Sequence, residues 1–212
     1  MAKMRGHNDW PRVVKQLKIL NRAKVRVGFF GDGESGETLL TIVRANEYGA
    51  EISPKKGKFL TIPTSAVPRG VKSPKEINGL FRPKNADGSL QKRLVKRVKK
   101  GTKYELVTYY YLVKHVSIPP RPFIRNAWKA NRYNYERIIM NGVKSIIFNG
   151  ATAKSVLDRL GATAAADIQR SSIALRKPAN AKATTDRKKS TNPLVDTGEL
   201  QRMVTYKVDL GG

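Results

Sequence analysis

Apolar positions at helical spacing alternate along this chain with short runs in which every second residue is apolar. Val13, Val14, Leu17 and Leu20 share one face of a first helix, with Asp9 placed to cap it and Pro11 near its start. Residues 24–30 alternate as a strand, residues 31–36 form a loop, and a second helix runs from 37 to about 48, closed by Gly49. Residues 50–76, with four prolines and many lysines, predict a long loop around a short strand at 59–62. A β-hairpin follows: one arm at 94–98, a turn at Gly101-Thr102, and a second arm at 104–113. The second arm is apolar on both faces, which predicts a central strand.

Pro119, Pro120 and Pro122 then break the sheet and start a long helix, in which Ile124, Trp128, Asn131, Tyr135, Ile138, Ile139, Gly142 and Ile146 hold mostly one face. A further helix over about 153–174 carries Val156, Leu160, Ala164 and Ile168 four apart. Residues 176–191 are polar, basic and non-periodic, and are expected to form a flexible basic loop. Residues 204–208 alternate as a last strand. The order is neither βαβ alternation nor all-β. The expected class is α+β: a small, mostly antiparallel sheet against one long helix and additional helices, with long basic loops. With no internal repeat, residues 1–212 are expected to form a single structural domain carrying a basic hairpin insertion over about 77–113.

Charge changes this picture more than composition does. Forty-two Lys and Arg against sixteen Asp and Glu give +26 over 212 residues. Such an excess points to a polyanion or an acidic protein surface as partner. Nine of the basic residues fall within 82–103, against the single acid Asp87. Lys92, Arg93, Lys96, Arg97, Lys99, Lys100 and Lys103 are the candidate polyanion contacts, by phosphate neutralisation without base readout. Tyr104 and Tyr109 to Tyr111 either offer stacking platforms beside them or fill the sheet core, and the core is the preferred reading. The absence of cysteine excludes disulfides, thiolate metal sites and cysteine nucleophiles. No apolar run approaches the roughly 20 residues of a membrane span, and the N-terminus has no apolar signal core, so a cytosolic origin and no membrane partner are expected.

Catalytic readings fail on local chemistry. Gly31-Asp-Gly-Glu-Ser-Gly36 matches the dinucleotide-binding glycine pattern between a strand and a helix. Asp32 and Glu34 would repel a pyrophosphate, however, and Glu37 stands where a phosphate loop needs lysine. Ser35 is better read as a helix cap. His7 and His115 have no ligand or carboxylate cluster near them in sequence, and no catalytic or metal residue and no cofactor is assigned. Asp196-Thr197-Gly198 follows an apolar pair, as in a retroviral-type aspartic protease, but the 14 residues beyond Gly198 are too few for the rest of that subunit. Asp196 or Thr197 is read instead as the cap of a short helix with Glu199 in its first turn and Leu200 and Met203 facing inward, ahead of the last strand.

Three segments in a fixed order carry a family resemblance: Ala45-Asn-Glu-Tyr-Gly-Ala-Glu51, Ile118-Pro-Pro-Arg-Pro-Phe-Ile-Arg125 and Pro193-Leu-Val-Asp-Thr-Gly-Glu-Leu200. Together, over about residues 24–208, they resemble the virion-morphogenesis and tail-completion proteins of tailed bacteriophages, Mu-like and lambda-like phages included. The resemblance implies a non-enzymatic structural subunit of the head–tail neck, a tail-completion or tail-terminator ring joining tail tube to connector. Six copies are the expected number. It implies self-association, connector (portal-side) and tail-tube proteins as partners, non-specific contact with genome DNA, and a place in the virion after assembly in the host cytoplasm. The motif residues Tyr48, Gly49, Pro119, Pro120, Arg121, Pro122, Asp196, Thr197, Gly198 and Leu200 would then be architectural, with Arg121 able to hold a carboxylate on a neighbour. The alternative is a cytosolic nucleic-acid-binding protein that uses the 82–103 hairpin. The basic surface suits DNA or acidic protein equally.

Overall fold

The computed structural model describes residues 9–31, 36–188, 190, 192–195 and 198–211. The class is α+β, and every pairing between its named strands is antiparallel. Three separate sheets replace the single one expected. Contacts gather the chain into two compact units, one of Met1–Glu47, Pro122–Leu175 and Thr197–Gly212, the other of Tyr48–Arg121 and Arg176–Asp196. Hydrophobic period identifies elements, not which of them share a core, so this grouping leaves no mark on the pattern.

In the first unit α1 (Trp10–Arg22) buries Val13 against Ile146 and Val156, with Leu17 and Leu20 packed beside them. Asp9 occupies the N-cap position but makes no side-chain capping bond, and Val14 lies on the exposed side. β1 (Lys24–Gly28) leads to α2 (Gly36–Tyr48). The two long helices, α3 (Phe123–Asn149) and α4 (Ala153–Ala174), form a hairpin. Gly150, in the left-handed region, stops α3, and a reciprocal Thr152–Ser155 capping box starts α4. Arg12 and Gln16 of α1 clamp this corner: Arg12 donates to the Gly150 and Ile146 carbonyls, and the Gln16 side chain accepts from the Ala153 amide at 2.7 Å. Two glycines set the packing distances. A Cβ at Gly142 would overlap the Val156 side chain, and one at Gly161 would overlap the ring of Tyr206. The last helix, α6 (Glu199–Arg202), precedes β8 (Thr205–Asp209), whose ladder with β1 pairs Val27 with Tyr206.

In the second unit β2 (Ala50–Ile52) pairs with β7 (Val116–Ile118), and neither short strand was predicted. The larger sheet has the order β3 (Leu60–Pro63), β6 (Lys103–Val113), β5 (Arg93–Lys100), β4 (Leu80–Phe81). β6 is central, as its two apolar faces predict. Tyr110 and Leu112 of β6 and Val95 of β5 are buried, as is Val67 in the loop after β3. Tyr110 is the one hairpin tyrosine fully in the core: Tyr109 is half-buried, and Tyr104 and Tyr111 are 65% and 46% exposed, against the expectation that all four fill it. The segment expected to be a flexible loop carries α5 (Lys182–Arg187). Its ties to the rest of the unit run through backbone acceptors, which side-chain periodicity does not report.

Candidate functional site

The three resemblance segments sit at three of the four points where the chain passes from one unit to the other, at 47/48, 121/122 and 196/197; the fourth, at 175/176, carries none. Their bonds explain why these residue types stand there. Gly49 ends α2 with φ +82°, and a Cβ on it would lie 2.9 Å from the Ile118 carbonyl oxygen and 3.2 Å from Pro120 Cδ. Conformation and space both demand glycine. The next residue, Ala50, pairs with Ile118, so the first two segments meet as the β2–β7 ladder. Tyr48 is exposed, Pro119 half-buried and Pro120 exposed, and Pro122 takes the N-cap position of α3 without a side-chain bond.

Glu47 supplies the cap that Pro122 lacks. It is buried, and its carboxylate accepts the Ile124 amide at 3.0 Å, the Arg125 amide at 3.1 Å and Arg125 Nε at 3.0 Å. Arg125 also donates to the Glu47 carbonyl at 2.7 Å. An anion thus stands at the positive end of a 27-residue helix, held by charge-assisted bonds. Nothing local in the sequence assigns Glu47 this role. Its signal was an acid in the last turn of α2, where the helix dipole disfavours one.

Arg121 is not offered to a neighbour. It is 5% exposed and donates to the Pro178 carbonyl at 3.0 Å, the Ala179 carbonyl at 3.1 Å and Asn180 Oδ1 at 3.1 Å. Burial lowers its pKa from the ordinary arginine value. The planar guanidinium reaches three acceptors of one loop, and this turns the polar 176–180 stretch into a fixed part of the unit. Asn180 passes the link on to the Pro193 carbonyl, the start of the third segment. There Asn192 Oδ1 accepts the Leu194 and Val195 amides, and Leu194 is buried.

Asp196 and Thr197, the residues assigned the capping role, lie outside the described residues, as does Ser35. Gly198, with φ +76°, takes the N-cap position of α6. This start shifts the helix phase. Gln201 and Val204 are buried, whereas the predicted pair, Leu200 and Met203, is half-buried. Gln201 donates to Ser172 Oγ at 3.1 Å on α4.

The basic hairpin does not present its seven candidate residues on one plane. Direct cross-strand partners share a face. Arg97 and Lys99 stand with Leu106 and Tyr104 on one side; Lys96, Lys100 and Lys103 stand with Val107, Glu105 and Val98 on the other. Period-2 alternation along the regular ladder from Val95 to Lys100 sets this division, and the register shift at Leu94/Val95 lies before it. Lys92 is exposed, but Arg93 is taken up in the sheet, donating to Gln91 Oε1 at 2.6 Å and Thr108 Oγ1 at 3.2 Å. Arg82 is likewise structural, over the Phe59 ring and bonded to the Leu90 and Gln91 carbonyls. Lys100 meets Glu105 at 3.4 Å, an exposed pair of little energetic weight.

The first unit also holds an apolar cavity of about 720 Å³, walled by Val25 and Val27 of β1, Trp128, Tyr135 and Met140 of α3, and Leu160 of α4. Trp128, expected to face inward, is 61% exposed at its edge and leans on Tyr135. The Tyr135 hydroxyl donates to buried Asp167, which also meets Arg170. Burial first, and then that hydrogen bond, raise the Tyr135 pKa, so its proton is retained.

A Cβ on Gly36 would overlap the Gly31 backbone. Because β1 pairs antiparallel with β8, α2 is no parallel crossover and the dinucleotide-binding context is absent from the described strands. His7 lies outside the described residues and His115 is exposed. Among the described residues no three His, Cys, Asp or Glu gather as a metal site, and no helix is long and apolar enough to cross a membrane. Comparison with protein-family models, curated proteins and solved structures gave no significant match.

Proposed function

We propose that this chain is a non-enzymatic structural subunit of a bacteriophage head–tail neck, a tail-completion or tail-terminator protein acting as a ring. One observation carries the reading. The three segments that bear the resemblance each coincide with a passage of the chain between its two units, and each is built of architectural bonds. Glycine, proline, buried Glu47 and buried Arg121 position backbone there, as a subunit meeting several neighbours requires. In this reading six copies join the tail tube to the connector in the virion, after assembly in the host cytoplasm. The basic hairpin arm reaches genome DNA or acidic surfaces of those proteins. Native mass spectrometry of the purified chain tests the ring, with an expected mass six times 23.7 kDa. Labelling of purified particles tests its place, with signal expected at the neck.

One observation favours the alternative, a cytosolic nucleic-acid-binding protein: Arg97, Lys99 and exposed Tyr104 share a hairpin face, which pairs phosphate contacts with a stacking ring. A monomer that binds duplex tightly with a steep salt dependence and never joins tails or connectors would support that reading over the neck.

A further inference from the structure

In the unit with the four-stranded sheet, Ile62 and Pro63 of β3, Arg69, and Thr184, Arg187 and Lys188 at the end of α5 enclose a cavity of about 380 Å³. No acidic side chain among the described residues lines it. Asp186, next to Arg187 in the chain, is exposed, and Glu76 lies within electrostatic reach of Tyr110; among the described residues neither forms an ion pair with Arg69 or Arg187. Arg69 and Arg187 have no hydrogen-bond or ion-pair partner among the described residues, while Lys188 is held by the Pro193 carbonyl at 3.2 Å. Cations gathered around one concavity raise each other's potential, and an anion between them relieves it.

Tyr110 supplies an independent observation. It is 3% exposed, and its hydroxyl has no hydrogen-bond partner among the described residues. Buried polar groups are rarely left so. Its cross-strand partner is Pro63 and its electrostatic neighbour is Arg187, both walls of the cavity. Tyr110 does not itself line the cavity, but its hydroxyl lies within electrostatic reach of Arg187, and of Glu76, behind the strand position that Pro63 occupies.

We propose that this cavity binds a phosphate group. Arg69 and Arg187 place guanidinium forks on its oxygens, Lys188 adds charge, and the Thr184 hydroxyl adds a neutral donor. The volume falls at the small end of ligand sites, roughly 300–1,000 Å³, and admits a phosphate with part of the group it esterifies. Two sources offer this chemistry, free phosphate and the backbone of a DNA duplex. The site does not depend on the neck reading, and its failure would leave that reading untouched.

The test titrates the full chain with inorganic phosphate at constant ionic strength, by calorimetry and by hydrogen exchange, and then adds a short duplex. Saturable binding is expected, with protection confined to peptides covering 69–70 and 184–188. Arg69→Gln and Arg187→Gln should each weaken it about tenfold or more, the scale of one charge-assisted bond. Lys99→Gln with Lys100→Gln in the hairpin should not. A duplex that displaces phosphate identifies the backbone as the source, one that leaves it bound identifies free phosphate, and both uphold the site. Absence of saturable binding, or binding that survives in the Arg69→Gln/Arg187→Gln double variant, overturns it. Should that variant misfold, the protection map of the unaltered chain decides alone, and protection elsewhere overturns the proposal.

Discussion

Glu47 sits at the C-terminal end of α2, where its own helix disfavours a negative charge, because it serves the N-terminus of α3. Removing its side chain takes the acceptor from the partly buried Ile124 and Arg125 amides and from Arg125 Nε, while the Arg125 bond to the residue-47 carbonyl remains. Glu47→Ala is expected to cost about 2–4 kcal/mol, the sum of a lost cap and an unsatisfied, partly buried donor. Glu47→Gln, which keeps an acceptor, should cost less; urea unfolding of both variants measures the difference. Equal stability of Glu47→Ala and wild type would contradict the role. Tyr135 carries a prediction in pH. Its folded pKa is raised above the unfolded value of about 10, so its contribution is intact below that pH and is lost as pH rises toward the folded value. Alkaline unfolding followed by tyrosinate absorbance should therefore begin above about pH 10, with Tyr135 ionising only as the fold opens. Tyr135→Phe should remove that late component. A spectrum unchanged by the substitution would show that the hydroxyl titrates freely.

At the scale of elements, the α3–α4 contact depends on Gly142 having no side chain. Alanine is the better helix former by about 1 kcal/mol. Gly142→Ala is nonetheless expected to destabilise by about 1–3 kcal/mol, because its Cβ overlaps Val156. Val156→Ala in the same chain should recover part of that loss in a double-mutant cycle, and strict additivity would refute the contact. Long periodic elements were legible: α4 spans the predicted 153–174, and the hairpin arms and the closing strand appear within a few residues of expectation. β2, β4 and β7, of two or three residues, are too short to carry a period and exist only through their partners. α5 is polar, and the loop before it is tied to Arg121 by the Pro178 and Ala179 carbonyls, which have no sequence signature. At the candidate site, glycine and proline marked the turns. The partners of Glu47 and Arg121 lie 77 to 78 and 57 to 59 residues away, beyond any local rule. Strand alternation divides the hairpin cations between two faces, a division already implicit in their spacing.

At the scale of the molecule, the proposed neck role draws on a net charge of +26 and on motifs devoted to backbone architecture. Self-repulsion at that charge opposes assembly unless neighbours or DNA neutralise it, so ring formation should strengthen with salt while DNA binding weakens. The most direct test of the neck reading is the mass of the assembled species across that salt range, paired with the location of the chain in purified particles. A six-copy species, and label at the junction of head and tail, is the predicted result. A chain that stays monomeric at every salt concentration and is missing from the particles would contradict it.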